Sequence, residues 1–554
     1  MRNPTDVLNS LSDKSKNPKY KFERLYRNLY NPEFYLLAYK NIYANDGSMT
    51  PGVDGVTTDG MRLERIDKVI ASLKDHSYRP KPARRTYIAK KNNPAKKRPL
   101  GIPSGDDKLV QEVVRMILES IYEPTFSDVS HGFRPGKSCH TALVKIQSTF
   151  TGAKWFVEGD IQACFDSFDH HVLIEILRRR IKDEAFIGLM WKFLKAGYME
   201  QWKYHKTYTG TPQGSGISPI LANIYLNELD KYMEEYKQKF SQPTRTVNPA
   251  HRNMASRIFH YKAKNDKVWN TLSAEEQKKR ARILRQMRAE QRNLPTHPLR
   301  ETSYKSLQHV RYADDFLIGV VGSREDAERL KQDLAVFLKE KLGLTLSAEK
   351  TKITNTAQCA RFLNYDIYVS RSQDIKRLKN GKRQRVYYGV VQLRMPHEKW
   401  AAKLLELGAI RISKDKSGKE RWKAMPRGKL MNRTDTEILS RYNSEVRGYY
   451  NYYSLAGNVS TLNHFSSLMK YSMLKTFGSK YRCQVRKIKE RYVKDGEFTV
   501  PYTTKAGPKE AIYYHDGFRK QDKPQLGHVD ILDIYKNYSK TNSLATRMRS
   551  KHCE

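Results

Sequence analysis

The sequence predicts an α+β fold: an antiparallel sheet in the first two-thirds of the chain, a helical segment after it, and a basic tail. Three observations carry this. Strand-like runs come as hairpins, at Arg84–Lys90 with Lys97–Pro103 and at His309–Tyr312 with Phe316–Val321. Between them lie stretches whose apolar residues recur at helical spacing, such as Leu109, Val113, Met116 and Ile117. Beyond Arg371 the character shifts to basic clusters and to a long 3.6-period run through Ile438, Tyr442, Val446, Tyr449, Tyr450 and Tyr453.

Size and charge narrow the function before any motif does. At 554 residues the chain has room for several domains of roughly 100–200 residues each. Lys and Arg number 102 against 59 Asp and Glu, a formal net charge of +43. Self-repulsion of that size calls for a polyanionic partner, and the 35 tyrosines interleaved with the cations supply stacking surfaces. The five cysteines (Cys139, Cys164, Cys359, Cys483, Cys553) form no Cys-x-x-Cys pair, which argues for reduced thiols in an intracellular protein. The N-terminus carries no apolar secretory core, and no run approaches the roughly 20 residues that span a bilayer. A soluble intracellular protein with no membrane partner is the expectation.

Taken in order, residues up to about 20 read as a loose polar arm. Helices follow through Tyr43, a Gly/Pro turn at Thr50–Gly55, and an amphipathic helix over 61–74. The hairpin carrying Arg84, Lys90 and Arg98 suits either phosphate binding or a solvated basic loop. His131-Gly-Phe-Arg-Pro-Gly-Lys137 is a loop with basic tips. Trp155–Val157 reads as a buried strand ending near Asp160. Gly210-Thr-Pro-Gln-Gly-Ser-Gly-Ile-Ser-Pro219 is a loop that lets backbone approach a ligand closely, ahead of an apolar helix. Residues 231–305 are highly charged and read as an inserted basic helical excursion. A helix over 324–342 and strands in 344–353 and 361–367 follow, and from about 485 the chain is basic and weakly patterned.

Asp314 and Asp315 at a hairpin tip fit either a polar turn or a metal site. Asp160 tips the balance, because a carboxylate on a buried strand is costly unless something positive meets it. Antiparallel neighbours can bring the three acids together, and such a cluster repels itself unless divalent cations neutralise it. Two Mg²⁺ ions roughly 3.5–4 Å apart are suited to activating a 3′-hydroxyl and stabilising a pyrophosphate leaving group. Arg84, Lys90 and Arg98 would then meet the triphosphate.

The ordered set of basic hairpin, Gly-Asp160-Ile…Cys-Phe165-Asp166, Pro212-Gln213-Gly214…Ser218-Pro219, Tyr312-Ala-Asp-Asp315, Leu346-Ser…Glu349-Lys350-Thr and Phe362-Leu363 resembles reverse transcriptases. Among them it is similar to group II intron-encoded proteins, which reverse transcribe and also help their intron splice. The resemblance implies a right-hand polymerase: fingers and palm on an antiparallel sheet, a helical thumb (maturase domain X), and a basic C-terminal DNA-binding region. It implies Asp160 and Asp314 as main metal ligands, with Asp315 assisting and the Ile161 carbonyl contributing, for Mg²⁺ or Mn²⁺ as substitute. Phe165 would lie under the nucleotide sugar, Gln213 at the templating pair or nucleotide, and Lys350 near the triphosphate; Asp166 is read as structural.

Arg441-Tyr-Asn-Ser-Glu-Val-Arg447-Gly-Tyr-Tyr-Asn451-Tyr-Tyr453 resembles the thumb of that family. Tyr442, Val446 and Tyr450 read as its core, and the cations Arg441, Arg447, Lys470 and Lys475 as RNA contacts. The implied layout is an N-terminal extension over 1–75, fingers and palm over 76–368, thumb over 369–485, and a DNA-binding region over 486–554. The chain stops where longer members begin an HNH endonuclease, so that nuclease is expected to be absent. Asn364 stands where a glycine is common. The implied partners are group II intron RNA in a ribonucleoprotein, target DNA and dNTPs, with a homodimer left open. The implied location is the bacterial cytoplasm, with an organellar origin also compatible. Two rivals remain: an RNA-binding splicing cofactor without polymerase activity, and a reverse transcriptase of the retron or diversity-generating lineages. The intact acids argue against the first, and the long thumb and tail against the second.

Overall fold

The computed structural model describes residues 2–525 except 46, 91–92, 212–213, 243–246, 295, 297–303, 373–374, 378–380, 382, 386–388, 415–416, 419, 505–506 and 515. In chain order, the strands that position the site are β1 (Ala83–Lys90), β2 (Asn93–Ile102), β3 (Trp155–Asp160), β4 (Tyr198–Glu200) and β5 (Lys203–His205). They continue with β6 (Ser306–Tyr312), β7 (Asp315–Val321), β8 (Lys352–Asn355), β9 (Ala360–Phe362) and β10 (Tyr365–Val369).

One four-stranded sheet has the order β2-β1-β4-β5. Its basic hairpin runs in antiparallel register from Arg84 opposite Ile102 to Ala89 opposite Lys97, as the sequence predicts, while β4 lies parallel to β1. The second has the order β6-β7-β3-β8, antiparallel throughout. Its central strands show why Phe316–Val321 is apolar without alternation. The pleat sends Val157, Phe316 and Ile318 into a core shared with helices Gly105–Tyr122, Ser218–Phe240 and Arg324–Leu342. It sends Phe156 and Leu317 into a second core with Phe150 and strands β9 and β10, which continues into the C-terminal helices. A strand buried on both faces needs apolar residues at every position.

Gly159 is opposite Phe316 in this ladder, and a Cβ there would run into the Phe316 ring. Gly159→Ala is therefore expected to cost about 1–3 kcal/mol through forced repacking beside Asp160, read as a lower unfolding midpoint.

The N-terminal arm is a helix, Pro4–Ser15, not a loose tail. Asn3 caps it by accepting the Thr5 N–H at 2.9 Å, Pro4 starts it, and Leu8 is buried against helix Gly105–Tyr122. Its few apolar residues, diluted among polar ones, hid the period. The charged excursion is helical as expected: Ser218–Phe240 runs into it, followed by the helices Pro249–Asp266 and Ala274–Asn293. No described residue of Ala274–Asn293 is buried.

In the segment expected to form the thumb, helices Asp435–Tyr453 and Leu462–Lys480 pack together, with a Tyr442–Ser472 hydroxyl hydrogen bond at 2.9 Å. The chain does not loosen at 485. Helix Val485–Tyr492 and the strands Glu497–Thr504 and Gly507–Ile512 place Ile488, Tyr492, Phe498, Val500, Tyr513 and Tyr514 in the same core. Each element is too short for its period to stand out from the surrounding charge. The β9–β10 turn puts Leu363 at φ 47° and Asn364 at φ 58°. Asn tolerates this left-handed region well, so Asn364 fits where glycine would.

Candidate active site and nucleic-acid surfaces

The register of the second sheet sets Asp160 directly opposite Asp315, with Asp314 in the turn beside them. Burial, then the charge of Asp160, raises the Asp314 carboxyl above the usual range, while Lys350 and Arg98 oppose the rise. Enclosure by the surrounding chain, then Asp314, pushes Asp315 up to about 7 although part of the residue faces solvent; it is also hydrogen-bonded to Asp160. Three acids crowd here because the ladder leaves them no choice.

Lys350 reaches the same point from the other side. The chain after helix Arg324–Leu342 is stitched to β3: Gln162 N donates to Thr345 O at 2.9 Å and Ser347 N to Asp160 O at 2.8 Å, on either side of the buried Ile161. That fixes Lys350, whose Nζ donates to Asp160 Oδ2 at 2.8 Å. Among the described residues no three Asp, Glu, His or Cys side chains form a ready-made metal cage. For Mg²⁺ none is required, since that ion keeps its waters and binds through one or two carboxylates plus substrate phosphates. The donor set fits such an ion: hard oxygens only, three carboxyl groups crowded at one turn.

What holds the hairpin tip was not read from the sequence. Arg311, 1% exposed, is clamped by Asp230, 0% exposed, through Nε–Oδ1 at 2.8 Å and Nη2–Oδ2 at 2.5 Å. Its remaining donors go to Ser130 Oγ at 2.7 Å, to the carbonyl of Ala313 at 2.9 Å and to Asn223 Oδ1 at 3.5 Å. Ala313 itself sits at φ 55°, and Gly132 is packed so close to its backbone that a Cβ would collide. The His131–Lys137 loop is therefore a cradle: its backbone pairs with Arg311, and Arg134 ties it to Glu123 at 2.9 Å. Arg311 shares its strand with Gln308 and His309, and Asp230 its helix with Glu228, Glu234 and Glu235, so neither stands out in the sequence.

Phe165 is half-buried, flanked by Phe168 and, edge-on at 6.3 Å between ring centres, by Phe133. Phe133, 52% exposed, adds an aromatic wall that the sequence reading left out. The 210–219 loop is docked on this segment by Thr211 N to Phe165 O at 2.7 Å, and Gly214 approaches Gly101 of β2. Gln213 and the side chain of Lys90 lie outside the described residues. Arg98 is exposed and within electrostatic reach of Asp314. Arg84 donates through Nε to the Pro51 carbonyl at 3.0 Å, bracing the Gly/Pro turn.

The four cations expected to contact RNA separate into two kinds. Arg441 and Arg447 are exposed on helix Asp435–Tyr453, with Arg441 also bound to Glu445 at 2.9 Å. Lys470 and Lys475 are half-buried rather than on the surface: Lys470 lies 5.8 Å from the Tyr513 ring centre, and Lys475 donates to Ala424 O at 2.7 Å. The C-terminal end of the helix grips the β9–β10 turn through Tyr452 OH to Leu363 O at 2.8 Å and Tyr453 OH to Asn364 O at 3.2 Å. No described helix is long and apolar enough to cross a membrane.

Comparison with known proteins agrees with this geometry. Residues 88–248 and 281–367 match the family of reverse transcriptases (RNA-dependent DNA polymerases), and residues 389–523 match the type II intron maturases. The group II intron-encoded protein LtrA of Lactococcus lactis is 45% identical over 96% of this chain and 87% of its own. An uncharacterised 91 kDa protein in the cob intron of Schizosaccharomyces pombe is 36% identical over 97% of this chain and 62% of its own. Protein YkfC of Escherichia coli is 34% identical over 64% and 86%. Reverse transcriptases use divalent metal ions, and maturases act on intron RNA. An α+β polymerase half and a maturase half in one chain, matched nearly end to end, mean that this protein belongs to the group II intron-encoded reverse transcriptases/maturases and is an RNA-directed DNA polymerase.

Proposed function

We propose that Asp160, Asp314 and Asp315 are the catalytic carboxylates of Mg²⁺-dependent DNA synthesis on intron RNA, primed from a cleaved DNA 3′ end. The observation that carries this is the Asp160–Asp315 register with Lys350 and Arg98 converging on the same acids. Asp160 and Asp314 would hold the ions, with Asp315 and the Ile161 carbonyl assisting; when bound they lower the cost of a 3′-alkoxide and of pyrophosphate departure. Lys350 and Arg98 would hold the triphosphate by charge. Lys350, which donates to Asp160, would lie within reach of the triphosphate at the same acids. Phe165 and Phe133 would wall the sugar, and Arg84, Lys90 and Gln213 would complete the nucleotide pocket. Arg441 and Arg447 would grip intron RNA, and the basic tail target DNA.

The test is primer extension on poly(rA)/oligo(dT). Synthesis is expected to stop with chelator and to return with Mg²⁺. Extension in excess chelator would remove the metal assignment. Intron RNA co-purifying with the chain supports the maturase arm, whereas a short non-coding RNA in its place would defeat it.

A further inference from the structure

Away from the carboxylates, the β4–β5 hairpin carries a feature that neither catalysis nor the thumb accounts for. Its two-residue turn is Gln201-Trp202, both at positive φ (49° and 64°), and Trp202 is 93% exposed. Such turns favour Asn-Gly, and a bulky residue in the left-handed region is strained. A strained, solvent-facing tryptophan gains nothing for folding.

The hairpin beneath it is rigid. Tyr87 on β1 donates to Glu200 at 2.6 Å, and His205 stacks on Tyr198 at 4.9 Å between centres. The Arg85 guanidinium lies on Tyr198 at 3.6 Å. Around the tip the residues alternate between aromatic and basic: Lys203 and Lys206 are exposed, Tyr204 is 49% and Tyr208 79% exposed. Tyr204 also lines a cleft of about 510 Å³ with Trp191, whose ring holds Lys195 at 4.5 Å. From here the chain runs directly into the 210–219 loop docked at Phe165.

We propose that Trp202 is a base-stacking post for single-stranded RNA, holding template along the outside of the first sheet ahead of the active site. Aromatic faces flanked by cations suit unpaired bases and phosphates. Paired bases bury the faces that Trp202 would need, and the one acid at the tip, Glu200, is taken by Tyr87. The proposal rests on the polymerase reading only for the direction of the strand.

The test measures binding of labelled unstructured oligoadenylate to the full chain, without dNTPs, by fluorescence anisotropy. Trp202→Ala is expected to weaken it about tenfold, and Trp202→Phe to stay within about threefold of wild type. Duplex RNA binding should not change. Trp202→Gly relieves the backbone strain, so it should lose binding while its unfolding midpoint holds or rises; misfolding cannot produce that pair. Unaltered oligoadenylate binding by Trp202→Ala, or equal losses for single-stranded and duplex RNA, would overturn the proposal. Since no nucleotide is incorporated, a failure of the carboxylate assignment would leave this result untouched.

Discussion

The double variant Asp314→Ala/Asp315→Ala is expected to lower cDNA synthesis by at least about 10³-fold, because several kcal/mol of transition-state charge stabilisation vanish with the hairpin acids. The fold should survive. Both residues are raised by burial and by neighbouring negative charge, so their removal relieves repulsion in the folded state. The hairpin itself is held from below, by Arg311 and Gly132, neither of which touches those carboxyls through the bonds described. Intron RNA binding and splicing should therefore remain largely intact. Primer extension and a splicing assay on the same preparation give the answer, and retained polymerisation would sink the assignment of these acids.

Asp230→Ala should be the most damaging substitution remote from the chemistry, at about 3–5 kcal/mol, because it strands the Arg311 guanidinium in a dry core. Thermal unfolding reads this directly. Pairing it with Arg311→Met removes the orphaned charge and should recover much of the stability. DNA synthesis should not recover with it, since the bond from Arg311 to the Ala313 carbonyl is gone and the left-handed turn loses its anchor. If activity returned together with stability, the turn would not depend on that anchor.

The sequence made the acids legible because their chemistry is intrinsic to residue type: a carboxylate on a buried strand, and two more in a turn, stand out without any partner being known. The basic hairpin and the long amphipathic helices were legible for a similar reason, since period and charge are local properties. The Arg311–Asp230 clamp was not, because 81 residues separate two groups that are individually unremarkable. Nor was the burial of Lys475, which depends on where Ala424 offers a carbonyl. The helix Pro4–Ser15 and the strands past 490 were hidden by dilution: Leu8, Phe498 and Val500 are few, and only the surfaces they meet make them core. Arg84 was read as a phosphate ligand from charge alone, whereas its neighbour Pro51 gives it a second occupation.

The sheet that carries Asp160 and Asp315 has no face of its own to spare. Phe156 and Leu317 lie in a core with Phe150 and strands β9 and β10 that continues into the C-terminal helices, where the buried Tyr365 packs on Tyr452 and Tyr453; Val157 and Ile318 lie in the other core. A truncation that kept the polymerase and discarded the maturase would cut through this second core and expose apolar residues such as Tyr365 to water, an aggregation hazard. The polymerase half therefore depends for its solubility on the helices that follow it in the chain.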